Sequence, residues 1–458
     1  MLNAQVRFAA VRRDARAILR LGAPLLVANL SVAAMGLADT VMAGRINAHA
    51  LAAVAVGTSY YTIFMILGLG TMTALSPLAA HAHGAGRMPR VGEYARQGIW
   101  LVLVLSVLLV LGLEFGARVL RLIGTDAAIV PAASGYIRAI AFGMPGFLGY
   151  QALRATCEGV GRTRPVMMVA VSALLVNVGL NWVFMYGHWG APALGAVGAG
   201  VATAISQWVA CLLLATHVFR HRAFAAYVIA RRPERPDAGR LREILGLGLP
   251  IGGAMLAEGA LFSVAGLMIG TLGATVVAAH QIALNYAAFM FMAPVSLHSA
   301  TTIHVGHSLG GKDPAGARRA GFVGIGLCTL LMSCSALVLW VGRRMIAALY
   351  TSDPAVQSIA ASLLLLAAVF QVSDGLQVGA MGALRGYKDA RVPMAITVAA
   401  YWGLGFPLAW FSGLRGGLGP VGVWWGLIAG LTAAAALLLT RYRWVSSIRG
   451  PAEHANVS

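Results

Sequence analysis

Residues 21–45 read LGAPLLVANLSVAAMGLADTVMAGR, and this stretch decides the fold. Residues 21–38 carry no charge, and a helix of about 20 mainly apolar residues spans the hydrocarbon core of a bilayer. The uncharged run ends at one acid, Asp39, which precedes the next charge, Arg45, by six residues. The stretch therefore predicts a membrane-spanning helix that carries a carboxylate.

The rest of the chain repeats this apolar pattern. Its 458 residues are 59% hydrophobic and only 11% charged, with a mean hydropathy of +0.78. This composition is too apolar for a water-soluble globule and predicts an all-α integral membrane protein. Twelve spans are predicted, near 17–43, 50–79, 92–115, 130–156, 164–187, 193–218, 243–270, 274–306, 318–342, 355–384, 391–414 and 417–441.

The net charge of +19 is distributed unevenly between the two sides of such a protein. With both termini on one side, that side holds 27 of the 34 Lys and Arg residues. Basic loops favour the cytoplasm, so we expect both termini and the central loop 219–242 to be cytoplasmic. We expect the Arg-rich segment up to Arg20 to lie along the inner membrane surface. The charge is thus a topology signal and does not indicate nucleic-acid binding.

The sequence also contains a duplication. Residues 18–87 align with residues 244–313 without a gap, at a shift of 226 positions. Because each copy has six spans, both copies cross the membrane in the same direction, and we expect two six-helix lobes related by a pseudo-twofold axis along the membrane normal. The predicted domains are an N-terminal lobe at 1–218, a cytoplasmic linker at 219–242, a C-terminal lobe at 243–442 and a cytoplasmic tail at 443–458.

Three acids stand alone in long uncharged stretches: Asp39, Glu258 and Asp374. A carboxylate near the bilayer centre costs about 2.5 to 3.5 kcal/mol, so each residue requires a reason. Burial favours forms that bind a proton or a cation, and we predict cation coupling at all three. We also predict that Glu258 and Asp374 face one cavity of the C-terminal lobe, at a depth where no basic residue neutralises them.

Each of the three acids also has a purely structural interpretation. Asp39 could cap a broken helix or pair with Arg45, and Glu258 or Asp374 could hydrogen-bond to a neighbouring helix. Asn177 and Asn181 form an i,i+4 pair that puts two amides on one helix face. This pair serves either cation coupling or an interhelical amide clamp.

Further polar and aromatic residues are weaker candidates for binding a planar cation, because rings at these positions also suit an interfacial belt. Among the aromatic residues, Tyr60 and Tyr286 occupy comparable places in the two repeats. The predicted substrate-binding residues are Ser59, Tyr60, Gln281, Asn285, Tyr286 and Asp374.

Several motifs together carry a family resemblance over about residues 15 to 440. They are the opening APLLVANLSVAAMGLADTVMAGRINAHALAAVAVG, EGVGRTRP, LGAVGAG, AEGALFS and SDGLQVGAMGALRGYKDARVP. In these motifs and in its duplication the chain resembles the multidrug and toxic compound extrusion (MATE) family, in its NorM-like bacterial branch. The resemblance implies a multi-pass antiporter of the bacterial inner membrane that expels cationic, often aromatic drugs in exchange for Na⁺ or H⁺.

The resemblance also places the Asn177 and Asn181 amides beside Asp39, as one polar cluster. A possible Na⁺ site is accordingly either Asp39 with Asn177 and Asn181, or Glu258 with Asp374. Some sodium-coupled relatives carry a tyrosine one turn before the aspartate that corresponds to Asp374, where this chain has Phe370. The missing hydroxyl leaves the choice between Na⁺ and H⁺ open.

The function predicted from these observations is secondary active multidrug efflux by alternating access, with no cofactor other than the coupling ion and no obligate protein partner. The expected partners are cationic small molecules and membrane lipids. A flippase for lipid-linked oligosaccharides is the alternative, but it would need basic residues in its cavity to hold pyrophosphate. An enzyme is disfavoured because the loops are short, and a channel because single acids make a poor selectivity filter.

Overall fold

The computed structural model describes residues 2–229 and 234–448, and side chains from residue 8 onward. These residues form helices and connecting turns, without a strand among them. Eleven helices of this part of the chain are long and apolar enough to cross a membrane. The all-α membrane fold predicted from the sequence is confirmed.

The helices follow the predicted spans, and several continue well past them. Two short π-helical segments, Ala399–Gly405 and Phe411–Arg415, interrupt the eleventh predicted span. The α-helices are α1 Leu2–Ile46, α2 Ala48–Thr73, α3 Leu75–Gly84, α4 Met88–Glu114, α5 Gly116–Leu122, α6 Val130–Ala141, α7 Met144–Gly159, α8 Arg164–Tyr186, α9 Ala196–Arg220, α10 Ala238–Gly270, α11 Ala274–Gly310, α12 Pro314–Tyr350, α13 Pro354–Gly386, α14 Arg391–Val398, α15 Phe406–Trp410 and α16 Gly419–Ile448.

The fourth predicted span, 130–156, is not one helix. It is divided into α6 and α7 at Phe142 and Gly143, so it is absent from the eleven helices that are long enough to cross a membrane. Pro145 lies in the first turn of α7, where its missing N–H costs nothing, whereas in a helix interior it would remove a hydrogen bond. The two shorter helices together cover the predicted fourth crossing.

By contact, the chain divides into two compact units. The first unit is Pro24–Gly252, and the second consists of the described residues up to Ala23 together with those from Gly253 onward. Both boundaries fall inside helices, α1 and α10, rather than at the predicted linker. Each of these two helices therefore has residues in both units.

The segment expected along the membrane surface has a different structure. Residues before Leu21 continue α1 without a break, and Ile18 is fully buried in a cluster with Leu297, Ala300 and Cys328 of the second unit. An amphipathic surface helix would bury its apolar face in lipid, whereas here Ile18 is buried within the protein.

The predicted linker 219–242 packs on α4 where the structure describes it; residues 230–233 lie outside the described part. Trp100 Nε1 donates to the Glu234 carbonyl at 2.9 Å, and Gln97 Nε2 donates to the Arg235 carbonyl at 3.0 Å. The Gln97 Oε1 atom accepts from the Asp237 N–H at 2.9 Å. These bonds fix residues 234–237 to one helix, and Arg96 Nη1 of the same helix donates to the Val228 carbonyl. Residues 449–458 of the predicted tail also lie outside the described residues.

Candidate cation and substrate sites

Asp39 lies in a closed ring of hydrogen bonds in the first unit. Asn181 Nδ2 donates to Asp39 Oδ1 at 2.6 Å, and Thr203 Oγ1 donates to Asp39 Oδ2 at 2.9 Å. Asn181 Nδ2 also donates to Asn177 Oδ1 at 3.1 Å, while Asn177 Nδ2 donates to Thr203 Oγ1 at 3.2 Å. All four side chains are buried. A carboxylate is thus held in the protein interior by neutral donors alone.

Three helices build this ring. Asn177 and Asn181 are one turn apart on α8, which is why both amides face the same neighbour. Asp39 belongs to the last two turns of α1, and Thr203 lies on α9. The structure therefore brings together the three residues that the sequence analysis placed in one cluster, and it adds Thr203.

The ring leaves one oxygen unused. Among the described residues none donates a hydrogen bond to the buried Asn181 Oδ1 atom. Buried polar atoms are nearly always bonded, so such an atom indicates a missing ligand or water. Carboxylate, amide and hydroxyl oxygens are hard donors that suit Na⁺ and equally a proton relay. Asp39 makes no ion pair with Arg45 within the described chain, which removes one of the two structural readings.

Further polar side chains of the first unit are already paired with each other. The Tyr136 hydroxyl and Thr58 Oγ1 share a hydrogen bond at 3.0 Å, and Tyr136 interacts electrostatically with Asp39. Gln207 Nε2 donates to the Tyr61 hydroxyl at 3.0 Å. Tyr136 and Thr58 therefore extend the polar surroundings of the Asp39 ring.

Glu258 and Asp374 both lie in the second unit, on α10 and α13. Asp374 is 3% exposed and Glu258 is partly buried, and the two carboxyl groups interact electrostatically. Two like charges in a low-dielectric interior cannot both ionise cheaply, so the pair can share one proton or one cation. The proximity fits the predicted common cavity, while the role of the pair stays a prediction.

One expectation about this pair was wrong. No basic residue was expected at its depth, yet Arg385, near the end of α13, interacts electrostatically with Glu258. The side chain of Arg385 is partly buried, and its Nη2 atom contacts Met381 Sδ at 3.5 Å. A long guanidinium side chain can extend several ångströms from its own backbone position. Counting residues along the helix, which follows backbone positions only, therefore did not reveal this interaction.

Two glutamines and a tyrosine accompany the acid pair, and the sequence analysis missed all three. The Tyr401 hydroxyl donates to Gln377 Oε1 at 2.8 Å and interacts electrostatically with both Glu258 and Asp374. Neither amide atom of the fully buried Gln371 has a hydrogen-bond partner among the described residues. The second unit thus holds polar groups with unused hydrogen-bonding capacity close to its two acids.

Aromatic rings line the same part of the second unit. Phe370 is 5% exposed, and its ring packs edge-on against Phe262 at 5.9 Å and against Trp424 at 6.0 Å. Trp424 Nε1 donates to His280 Nδ1 at 3.3 Å. The position where some relatives have a tyrosine is therefore an apolar contact in this chain.

The weaker substrate candidates fall into two groups. In the first unit, Ser59 Oγ donates to its own helix at the Ala55 carbonyl and Tyr60 donates to the Gly112 carbonyl, at 2.9 and 2.8 Å. In the second unit, Gln281 and Asn285 are exposed one turn apart on α11, and Tyr286 bonds to Ser335 at 3.3 Å. A role in substrate binding stays a prediction for all of them.

A resident metal centre does not emerge from the residues that the structure describes. They contain no group of three or more His, Cys, Asp or Glu side chains able to hold a metal ion. His298 is instead used structurally, with its Nδ1 atom 2.9 Å from the Val378 carbonyl. The Asp39 ring is not such a group, because its other three side chains are two amides and a hydroxyl.

Comparison with known proteins gives a consistent result. The MatE family model matches residues 24–183 and 250–411. Multidrug resistance protein MdtK of Yersinia pseudotuberculosis is 43% identical over 437 residues, which cover 94% of this chain and 96% of the relative. MdtK of Pectobacterium atrosepticum is 42% identical over the same shares of both chains.

Solved structures agree in fold. A crystal structure of MATE in the bent conformation superposes with a TM-score of 0.88 at 22% identity, covering 97% of this chain and 98% of the other. An outward-facing multidrug resistance MATE family transporter of the MOP superfamily gives a TM-score of 0.87, also at 22% identity, over 95% and 96% of the two chains. With two matched segments, one in each repeat, and relatives above 40% identity, the chain belongs to the MatE family of membrane transporters.

Proposed function

We propose that this protein is a secondary active antiporter of the bacterial inner membrane that expels cationic and aromatic drugs in exchange for Na⁺ or H⁺. The observation that carries the proposal is the Asp39 ring. Among the residues that the structure describes, its buried carboxylate has no counter-charge, and the adjacent Asn181 amide oxygen has no donor. The MdtK relatives are named as multidrug resistance proteins, and their similarity spans nearly the whole chain. The protein is therefore a transporter and not an enzyme.

The Asp39 ring is proposed to bind the coupling ion. A proton on Asp39 would remove the uncompensated charge, whereas Na⁺ would take the carboxylate and the free Asn181 oxygen as ligands. Either ion changes the charge of the ring by one unit. Coupling requires that the ion bind one conformation of the transporter more tightly than the other.

Glu258 and Asp374 are proposed to hold the second charged species, either the ion or the drug cation. Arg385 already offsets part of the negative charge at Glu258. A single positive charge would then complete the balance, and the nearby rings of Phe370 and Trp424 provide apolar and aromatic surface. A planar organic cation fits this combination of groups better than a pyrophosphate-linked lipid would. This disfavours the flippase alternative.

Substrate contacts are proposed at Ser59, Tyr60, Gln281, Asn285 and Tyr286. Gln281 and Asn285 are the strongest of these, since two amides exposed on one face of an apolar helix are costly in lipid and favourable in an aqueous cleft. Ser59 and Tyr60 are weaker, since their hydroxyl groups already have backbone acceptors.

We further propose that both termini and the segment 219–242 are cytoplasmic, on the basis of the uneven distribution of basic residues. Pro236→Cys, in a background without the four native cysteines, should be inaccessible to a membrane-impermeant maleimide added to intact cells. Glu114→Cys, at the end of α4 on the opposite side, is the matched positive control. Strong labelling at position 236 from outside would show that the protein has the opposite orientation in the membrane.

The transport proposal is tested with purified protein in liposomes under separately imposed Na⁺ and H⁺ gradients. Uphill movement of a fluorescent cation such as ethidium should follow one or both gradients and stop when they are collapsed. Dependence on ATP alone, or movement of lipid-linked pyrophosphates without ethidium transport, would contradict the proposal. The comparison of the two gradients also decides the coupling ion.

A further inference from the structure

The first helix of each repeat begins in the unit that the other repeat builds. Helix α1 opens the first repeat, but its residues up to Ala23 belong to the second unit. Helix α10 opens the second repeat, but its residues up to Gly252 belong to the first unit. The two starting segments are therefore exchanged between the repeats.

An ion pair holds each exchanged segment. In the second unit, Asp14 Oδ2 lies 2.6 Å from Arg319 Nε, and Asp14 Oδ1 lies 3.2 Å from His304 Nε2. In the first unit, Arg240 Nη1 lies 2.6 Å from Glu93 Oε2. The Asp14 side chain is only 4% exposed, while Glu93 and Arg240 are each 29% exposed.

These two pairs occupy equivalent positions in the duplication, with their charges reversed. At the shift of 226 that relates the repeats, Asp14 corresponds to Arg240, and Glu93 corresponds to Arg319. Each pair joins the first helix of one repeat to the third span of the other, α12 for Asp14 and α4 for Arg240. The same contact therefore occurs once in each unit, and the charge at each of its two positions is reversed between the repeats.

The packing next to the ion pairs follows the same correspondence. Ile18 and its equivalent Ile244, one turn after the charged residue, are both fully buried. Gly22 lies so close to Leu297 that a Cβ atom would be 3.1 Å from its side chain. Its equivalent Gly248 faces Thr71, itself the equivalent of Leu297, at 2.6 Å. The charges therefore belong to a matched docking surface and are not isolated surface contacts.

The reversal of sign has a consequence for pairing. Within the first repeat the two positions are both acidic, Asp14 and Glu93, and within the second both are basic, Arg240 and Arg319. A first helix docked on its own repeat would place like charges together, whereas exchange places opposite charges together. Attraction toward one partner combined with repulsion from the alternative is how interfaces obtain specificity.

We propose that Asp14, Arg319, Glu93 and Arg240 are positioning residues that select the exchanged docking of the two first helices. The paired charges make exchange favourable and docking within a repeat unfavourable. The pairing does not depend on which ion drives transport, and its structural readout requires no transport at all.

The test is a series of charge exchanges in the full-length protein, measured as the fraction of detergent-extracted protein that is monodisperse and as gradient-driven ethidium efflux. Asp14→Arg and Arg319→Asp should each lower both readouts, by roughly tenfold, because each leaves like charges in a largely buried contact. The double variant Asp14→Arg/Arg319→Asp should return to within about twofold of the original protein.

A second double variant separates selection from simple pairing. Asp14→Arg with Arg240→Asp makes each first helix attractive to its own repeat and repulsive to its exchanged partner. This variant should lower the monodisperse fraction and ethidium efflux at least as much as either single change. Adding Glu93→Arg and Arg319→Asp to it should restore both readouts. Arg16→Asp, an exposed charge reversal on α1, is the matched control and should have little effect.

A milder change keeps the proposal testable if the reversals do not fold. Asp14→Asn should lower efflux by about threefold without changing the dissociation constant for ethidium, and Asp14→Glu should retain most of the activity. The proposal is overturned if Asp14→Arg equals Asp14→Asn, if the Asp14→Arg/Arg319→Asp variant is not restored, or if all variants remain within twofold of the original protein.

Discussion

Asp39 in the first unit and the Glu258–Asp374 pair in the second unit are held in different ways. In the first unit, Asp39 accepts bonds from Asn181 and Thr203, and every partner is neutral. In the second unit, Glu258 and Asp374 interact with each other, and Glu258 also interacts with Arg385. Beside them lies Gln371, whose amide has no hydrogen-bond partner among the described residues. One site is small and closed by its own hydrogen bonds, and the other is charged and incompletely satisfied. A lone acid in an apolar span is therefore a single sequence signal with two structural outcomes.

The difference indicates a division of work between the units. A closed ring with one spare oxygen suits a small ion that needs few ligands in fixed positions. A pair of acids with unused amides and nearby aromatic rings suits a larger and more variable cation. The following predictions, in order of decreasing effect, test this division.

The largest effect is expected at Asp39. Asp39→Asn keeps the side-chain volume and one of the two acceptor oxygens but cannot exchange a cation, so gradient-driven ethidium efflux from proteoliposomes should fall to background. The protein should still fold, and ethidium should still bind. Asp126→Asn, an exposed acid near the start of α6, is the control and should transport normally. Efflux at the original rate in Asp39→Asn would make the ring structural.

A slightly smaller and non-additive effect is expected in the second unit. Glu258→Gln and Asp374→Asn should each abolish most of the gradient-driven efflux, and the double variant should be little worse than either. Residues that act as one unit lose their shared function with the first substitution. Ethidium affinity should fall in these variants, unlike in Asp39→Asn. Losses that multiply in the double variant would mean two independent sites.

An intermediate effect is expected at Thr203. Thr203→Val removes one donor to a buried carboxylate, a bond worth about 1.5 to 3 kcal/mol, so the apparent affinity for the coupling ion should change by about tenfold or more. The concentration of ion at half-maximal efflux is the measurement. Thr203→Ser keeps the hydroxyl and should stay close to the original protein. If Thr203→Val and Thr203→Ser change the apparent ion affinity equally, the change results from altered packing and not from the lost hydroxyl.

The smallest effect is expected at Phe370. Phe370→Tyr adds a phenolic oxygen one turn before Asp374, and we expect apparent Na⁺ affinity to rise by about two- to threefold, since Na⁺ prefers oxygen ligands. The maximal efflux rate should change little because the ring keeps its position against Phe262 and Trp424. Phe370→Leu, which adds no oxygen, should not increase Na⁺ affinity. A response to Na⁺ that is identical in all three proteins would exclude this residue from ion selection.

Much of this organisation could be predicted from the sequence, because the signals are periodic or rare. Long apolar runs predict spans, and the i,i+4 spacing of Asn177 and Asn181 predicts two amides on one face. Three acids, each alone in an otherwise uncharged stretch (21–44, 244–311 and 354–384), are conspicuous because burial of each is costly. These features depend on local sequence and on the membrane, so no knowledge of distant contacts was needed.

What could not be predicted depends on contacts between distant residues. Thr203 donates to Asp39, but a threonine in a helix ordinarily bonds to its own backbone, as Thr71 and Thr156 do here. Gln371 gives no signal in an apolar helix until its neighbours are known. The interaction of Arg385 with Glu258 was not predicted because it depends on the reach of a long side chain from its own helix position. The break at Gly143 was not predicted because residues 130–156 are mainly apolar, with Arg138 and Arg154 as their charges, and resemble one long span.

The exchanged first helix also constrains the order in which the protein is made. Asp14 leaves the ribosome well before its partners His304 and Arg319, which follow 290 and 305 residues later. During most of synthesis the start of α1 therefore has no docking site, and Asp14 has no basic partner on α12. The first repeat alone cannot bury this segment in its final place, and native assembly must wait until the third span of the second repeat has been inserted. The start of α1 and the second repeat can therefore make this contact only after translation of the third span of that repeat.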